Sequence, residues 1–167
     1  MNYERFRFLQ SEWPAFYGIV QEVEESVIDN PGNALYKMKQ LAELLVKEVV
    51  ERSTNRKWDL NFKLLLDEAL NKGFMPVRFI QKIEEIRTAS IQAFQTLDVD
   101  SLQVLSLYEA VFEWMAWFVS KFGERHYKDY LDGLHINDRV VLLESLLEVK
   151  YDADELRETV AVQEADS

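Results

Sequence analysis

ALYKMKQLAELLVKEVVERS, residues 34–53, decides the fold class. Leu35, Met38, Leu41 or Ala42, Leu45 and Val49 recur at steps of three and four, with Lys, Gln and Glu between them, so the stretch is an amphipathic helix of about five turns. Asp29-Asn30-Pro31-Gly32-Asn33 breaks the chain ahead of it, and Asn30 or Asn33 can cap its start. Upstream, SEWPAFYGIVQEVEESVI repeats the period through Trp13, Phe16, Ile19 or Val20, Val23 and Val27, with Ser11 as a candidate N-cap and Pro14 in the first turn. Downstream, the polar loop STNRKWD leads to a helix around NFKLLLDEALNK that Gly73 stops, and Pro76 opens VRFIQKIEEIRTASIQAFQTL. Asp98 or Asp100 restarts the chain into SLQVLSLYEAVFEWMAWFVSKF. Its aromatic residues run nearly all the way round, which predicts a core helix with Trp114 and Trp117 buried.

After Gly123 the pattern shortens to ERHYKDYLDG, INDRVVLLESLLEVK and DADELRETVA, with Leu134, Ile136, Val140, Leu143, Leu146 and Leu147 on one more amphipathic helix that docks on the bundle or on a partner chain. The expected fold is all-α: an antiparallel bundle of four to five main helices with extra short C-terminal helices. The expected division is residues 1–123 for the bundle, 124–160 for a helical extension and 161–167 for an acidic tail that frays. Only 5 Gly and 3 Pro are present, too few for a strand-and-turn architecture.

A chain of 167 residues, 48% hydrophobic, supports one buried core. No apolar run reaches signal-peptide or membrane-span length, and the absence of cysteine suits a reducing compartment, so a cytoplasmic protein without a membrane is expected. The formal net charge of −11 repels a phosphate backbone, which makes direct nucleic-acid binding unfavourable and points to a protein partner. The small basic groups, Arg52, Arg56 and Lys57, then Lys121, Arg125 and Lys128, read as solvated helix ends.

Chemistry-bearing patterns are few. His126 and His135 have no metal-ligand spacing, and Gly133 interrupts the turn that would join Asp132 to His135, so no metal and no cofactor are expected. Neither a Gly-rich phosphate loop nor a nucleophile elbow occurs. Trp58, next to Arg56 and Lys57 in a polar loop, is a candidate contact for a partner.

Three phrases in order, FRFLQSEWPAFYGIVQEVEESVIDNPGNALYKMKQLAELLVKEVV, GFMPVRFIQKIEEIRTASIQAF and SLYEAVFEWMAWFVSKFG, resemble one family. It is the HEPN-like helical domain found at the N-terminus of type I restriction enzyme R subunits and in stand-alone prokaryotic proteins, and the likeness runs from about Tyr3 to Gly123. The resemblance implies a helical bundle, commonly dimeric, whose active members are metal-independent ribonucleases using Arg-x4-6-His. In this branch the corresponding helix carries a pattern close to Arg-x-x-Gly-Asn-x-Ala-x-His. Laid on IRTASIQAFQ, it keeps Arg87 and Ala93 but finds Ser90 for Gly, Ile91 for Asn and Gln95 for His. On a continuous helix, positions 87, 91 and 95 share a face at i, i+4, i+8. Gln95 exchanges no proton near neutral pH and cannot act as a general acid or base. Arg87 is expected to pair with Glu84 or Glu85, and Ile91 to extend the core or an interface.

The resulting expectation is a non-catalytic HEPN-like accessory protein of prokaryotic restriction or anti-phage defence, working by protein–protein interaction with a restriction, helicase or nuclease subunit, with a homodimer also plausible. Two other readings are a ribonuclease or toxin with a non-standard site that joins Arg87 to His126, and an acidic DNA-mimic inhibitor with carboxylates spaced like phosphates.

Overall fold

The computed structural model describes residues 4–165, with side chains described through residue 152. Among the described residues there are seven α-helices, one 3-10 turn and no strand. The helices are α1 Pro14–Ser26, α2 Pro31–Thr54, α3 Phe62–Asn71, α4 Val77–Thr96, α5 Ser101–Phe122, α6 Tyr127–Leu131 and α7 Ile136–Ala165. The 3-10 turn spans Arg7–Leu9. No helix among the described residues is long and apolar enough to cross a membrane. The all-α expectation therefore holds. The compact units divide at 12/13 and within α5 at 112/113, whereas the boundary expected from the sequence, Gly123, marks the end of α5.

The first unit, Trp13–Phe112, is organised by α2, which packs on α1, α3 and α4. Its start follows from local chemistry: Pro31 fills the first turn, where a missing N–H costs nothing, and the Asn30 side chain accepts from Asn33 N at 3.3 Å. Asn33 instead donates from Nδ2 to Ser26 Oγ at 2.7 Å, tying the end of α1 to the start of α2. The three-four pattern of residues 34–53 is the buried face: Leu35, Met38, Leu41, Ala42, Leu45 and Val49 are at most 1% exposed. Helix α1 begins differently from expectation. Trp13 takes the N-cap position without a side-chain cap, because Pro14 fixes the first turn by itself, and Ser11 lies outside the helix. Asn61 caps α3 by accepting from Leu64 N at 3.0 Å, and Asp100 Oδ1 accepts from Leu102 N at 3.0 Å at the start of α5.

The second unit joins residues up to Glu12 to those from Glu113 on. Trp114 and Trp117 are buried, as the periodicity predicts. Helix α6 packs on both the 3-10 turn and α7. Tyr130, 1% exposed, is the pivot: its hydroxyl donates to Glu12 Oε1 at 2.7 Å and accepts from Arg125 N at 3.0 Å, while Glu12 Oε2 accepts from Glu124 N at 2.8 Å. Burial and the Glu12 carboxylate push the Tyr130 phenol up to about 12. Arg5 pairs with Asp138 at 3.1 Å and fixes the first turn of α7 to the N-terminal segment.

One expectation is corrected here. ERHYKDYLDG forms the short helix α6, but INDRVVLLESLLEVK and DADELRETVA are not separate short helices: they form the single helix α7. No Gly or Pro occurs between Ile136 and Ala165, so nothing in the sequence stops it. The side chains of the acidic tail at 161–167 lie outside the described residues.

Candidate functional site

Helix α4 carries the positions that the sequence singled out. It runs unbroken from Val77 to Thr96, so the face at i, i+4, i+8 is realised as one continuous surface. Its inward residues are Phe79, Ile80, Ile83, Ile86 and Ala89. Arg87 is held on that surface near Glu84, with Nη1 3.9 Å from Oε2, and its guanidinium lies 5.0 Å from the centre of the Phe62 ring. The expected pairing with a neighbouring glutamate is thus present.

Ser90, Ile91 and Gln95 open into a cleft of about 540 Å³, together with Ala93, Phe94 and Leu97 from the end of α4 and Gly32, Tyr36 and Lys39 from the start of α2. Arg87 does not line it. The structure therefore brings three of the four motif-equivalent positions together and directs the fourth to a different neighbour. Ile91 does not extend the core: it is 53% exposed, because it lies off the arc of the inward residues. Phe94 is 87% exposed and Leu97 88%, and Tyr36 is half exposed beside them. Among the described residues, no imidazole, carboxylate or thiol lines the cleft. What it offers is apolar surface rimmed by the Ser90 hydroxyl, the Gln95 amide, the Tyr36 phenol and the Lys39 ammonium.

Leu97 occupies an unusual backbone state. It closes α4 in the left-handed region at φ 57°, where a side chain with Cβ costs about 1 kcal/mol or more and where glycine is the usual residue. A leucine there projects an apolar side chain into solvent at the edge of the cleft. Strained non-glycine residues of this kind concentrate at binding sites. Neither Phe94 nor Leu97 nor Tyr36 stands out in the sequence. Phe94 in particular falls close to the inward period of α4 and would be read as core, but it is 87% exposed.

The loop after α2 is a second, smaller locus. Trp58 is half-buried rather than free in solvent: its Nε1 donates to Thr54 Oγ1 at 2.7 Å, and the Arg56 guanidinium lies 3.7 Å from its ring centre. Lys57 reaches Glu51 at 3.5 Å. Glu51 itself, 8% exposed, accepts from Trp58 N at 3.0 Å. That backbone hydrogen bond, helped by Lys57 and Lys47 against the opposing effect of burial, holds the Glu51 carboxyl below its usual range. Trp58, Arg56 and Lys57 thus close the loop on itself. Because the folded-state value is lowered, the stability from Glu51 is present above the ordinary value of 4.5 and is lost as pH falls through the folded value. Glu51→Gln is expected to cost about 1–2 kcal/mol at pH 7 and to flatten the acid limb of the stability curve, as read by urea unfolding at several pH values.

Both histidines serve as caps. His126 Nδ1 accepts from Lys128 N at 3.3 Å at the start of α6, with its ring 4.5 Å from that of Tyr127, and His135 Nδ1 accepts from Asn137 N at 3.4 Å at the start of α7. No group of three or more potential metal ligands occurs among the described residues. In comparison with known proteins, the chain matches no family model, no curated protein and no solved structure.

Proposed function

We propose that this chain is a non-catalytic, HEPN-like helical binding protein that holds an apolar segment of a protein partner in the cleft between the start of α2 and the end of α4. The observation that carries the reading is the character of the motif-equivalent positions. Ser90, Ile91 and Gln95 lie in an open cleft without an imidazole, carboxylate or thiol, and Ile91, Phe94 and Leu97 present apolar side chains to solvent there. Such surface is disfavoured unless something covers it. The ordered resemblance over Tyr3–Gly123 supplies the setting, a cytoplasmic accessory role in prokaryotic restriction or anti-phage defence, with a restriction, helicase or nuclease subunit as the partner. The net charge of −11 favours a protein over a nucleic acid in that role.

The test is affinity purification of the tagged protein from its native cells, in wild-type form and as Phe94→Asp. The expected result is a restriction, helicase or nuclease subunit retained by the wild type, with affinity reduced roughly 100-fold by Phe94→Asp, as for an interface anchor. Leu97→Gly separates binding from folding. It is expected to raise stability by up to ~1 kcal/mol, since glycine accepts the left-handed backbone, while weakening partner binding. RNA hydrolysis by the wild type that Arg87→Ala abolishes would overturn the reading.

A further inference from the structure

The cleft on α4 differs in charge from the rest of the chain. Asp and Glu number 30 against 19 Lys and Arg, yet among the described residues the one charged side chain lining the cleft is Lys39. The carboxylates that follow Leu97 along the chain are engaged elsewhere. Asp98 and Asp100 line a separate recess with Gln92, Thr96 and Gln103, and Asp100 Oδ1 accepts from Leu102 N at 3.0 Å and Gln103 N at 3.3 Å. Glu43, one turn on from Lys39, stands 3.7 Å from its Nζ, too far for a charge-assisted hydrogen bond, and both side chains are partly in water. The polar groups beside Lys39 can donate. Tyr36 Oη accepts from Gln40 Nε2 at 3.3 Å, which leaves its own proton for an incoming acceptor, and the Ser90 hydroxyl and the Gln95 amide add further donors.

These groups specify what an apolar segment must carry to settle there. Covering Ile91, Phe94 and Leu97 takes water away from the Lys39 ammonium, and an ammonium that loses water without gaining an acceptor is costly. An apolar segment alone leaves that cost standing, and a basic one adds repulsion. A carboxylate offsets it through a short ion pair, with hydrogen bonds from the neighbouring donors. The carboxylate belongs to a side chain, not to a chain end. Capture of a terminal carboxylate uses successive backbone N–H groups. At the start of α2 no such run is offered, since Pro31 has no N–H, Asn33 N donates to Asn30 Oδ1 and Ala34 N donates to Asn30 O. The volume of about 540 Å³ suits a short stretch a few side chains long.

Resting on the reading of the cleft as a partner site, we infer that the partner segment combines a few large apolar side chains with one Asp or Glu, whose carboxylate meets Lys39. Long-range and short-range charge then oppose each other. The net charge of −11 repels such a segment at a distance, while Lys39 attracts it in contact. Salt screens the first more than the second, because a pair covered by apolar surface is screened less than exposed charges. Affinity therefore holds or rises with added salt, the reverse of ordinary electrostatic steering.

Selection of short random peptides displayed on phage against the full chain tests this, followed by fluorescence anisotropy of an enriched peptide. The expected peptides carry large apolar residues and an Asp or Glu at one fixed position. Lys39→Met is expected to weaken the chosen peptide about tenfold with helical circular dichroism unchanged, and selection on Lys39→Glu to exchange the acidic position for Lys or Arg. Phe94→Asp abolishes binding of the same peptide, which places it in the cleft. Peptides enriched through apolar residues alone and bound equally by Lys39→Glu would overturn the inference and leave the apolar-segment reading standing. Affinity that falls steeply with salt would also overturn it, as would a selection in which no peptide is held better by the wild type than by Phe94→Asp. The purification from native cells judges the cleft itself.

Discussion

Gly123→Ala is expected to destabilise the protein by about 3 kcal/mol, near the top of the range for an overpacked site. A Cβ built on Gly123 would run into the Tyr130 hydroxyl and approach the Val119 carbonyl oxygen to 2.5 Å, and one of these obstacles is backbone that cannot step aside. Moving Tyr130 is no remedy. Its hydroxyl already donates to Glu12 and accepts from Arg125 N, so displacement leaves a buried donor and acceptors without partners. Tyr130→Phe alone is expected to cost about 1–3 kcal/mol for the same reason. The two losses share one cause, and the double variant should therefore cost less than their sum. Urea midpoints of the four proteins in the cycle check this, and strict additivity would contradict it. The phenol adds a pH signature. Its folded value is raised from 10.0 to about 12, so the stability it contributes is complete below pH 10 and is lost as pH rises through about 12. The alkaline decline in that window should be absent from Tyr130→Phe.

Trp114→Ala is expected to cost about 3–5 kcal/mol, while Trp114→Phe stays within about 1 kcal/mol of the wild type. Trp114 is fully buried, and truncation to alanine leaves a large cavity lined by side chains that cannot close it. The indole Nε1, however, is buried with no hydrogen-bond partner among the described residues. Its desolvation is an uncompensated cost that phenylalanine removes, and this offsets the apolar area the smaller ring gives up. Guanidinium unfolding of both variants at matched slope reads the difference. Similar losses for Phe and Ala would show that the indole nitrogen finds a partner in solution.

The helices and their inward faces were legible in the sequence because burial follows the helical period. Pro31 and Asn30 name the start of α2, and Leu35 through Val49 name its buried side, without any knowledge of what packs against it. The same logic failed wherever a neighbour, not the period, decides exposure. Phe94 falls close to the inward arc of α4 but is exposed, and Ile91, readable as core or interface, is exposed too. Ser11 has the chemistry of a cap, but Pro14 sets the first turn by itself and leaves Ser11 outside the helix. Residues 136–165 join into one helix because the change in composition along them brings no breaking residue. At the candidate site, positions 90, 91 and 95 were singled out in the sequence by a resemblance, and they line the cleft. The strained backbone at Leu97 was not, since left-handed conformation at a leucine has no signature in a single sequence. Trp58, a candidate contact by its polar neighbours, has Arg56 stacked on its ring, while Lys57 pairs with Glu51.

The clasp between Glu12 and Tyr130 also sets an order of events during synthesis. Residues 4–12 leave the ribosome long before α6, the helix on which the 3-10 turn packs. At cellular elongation rates that interval is on the order of ten seconds. Phe6, Phe8 and Leu9, all buried in the finished fold, spend it without that partner. The growing chain thus carries three large apolar side chains without that cover until more than a hundred further residues are made, and this segment is among the last to find its place.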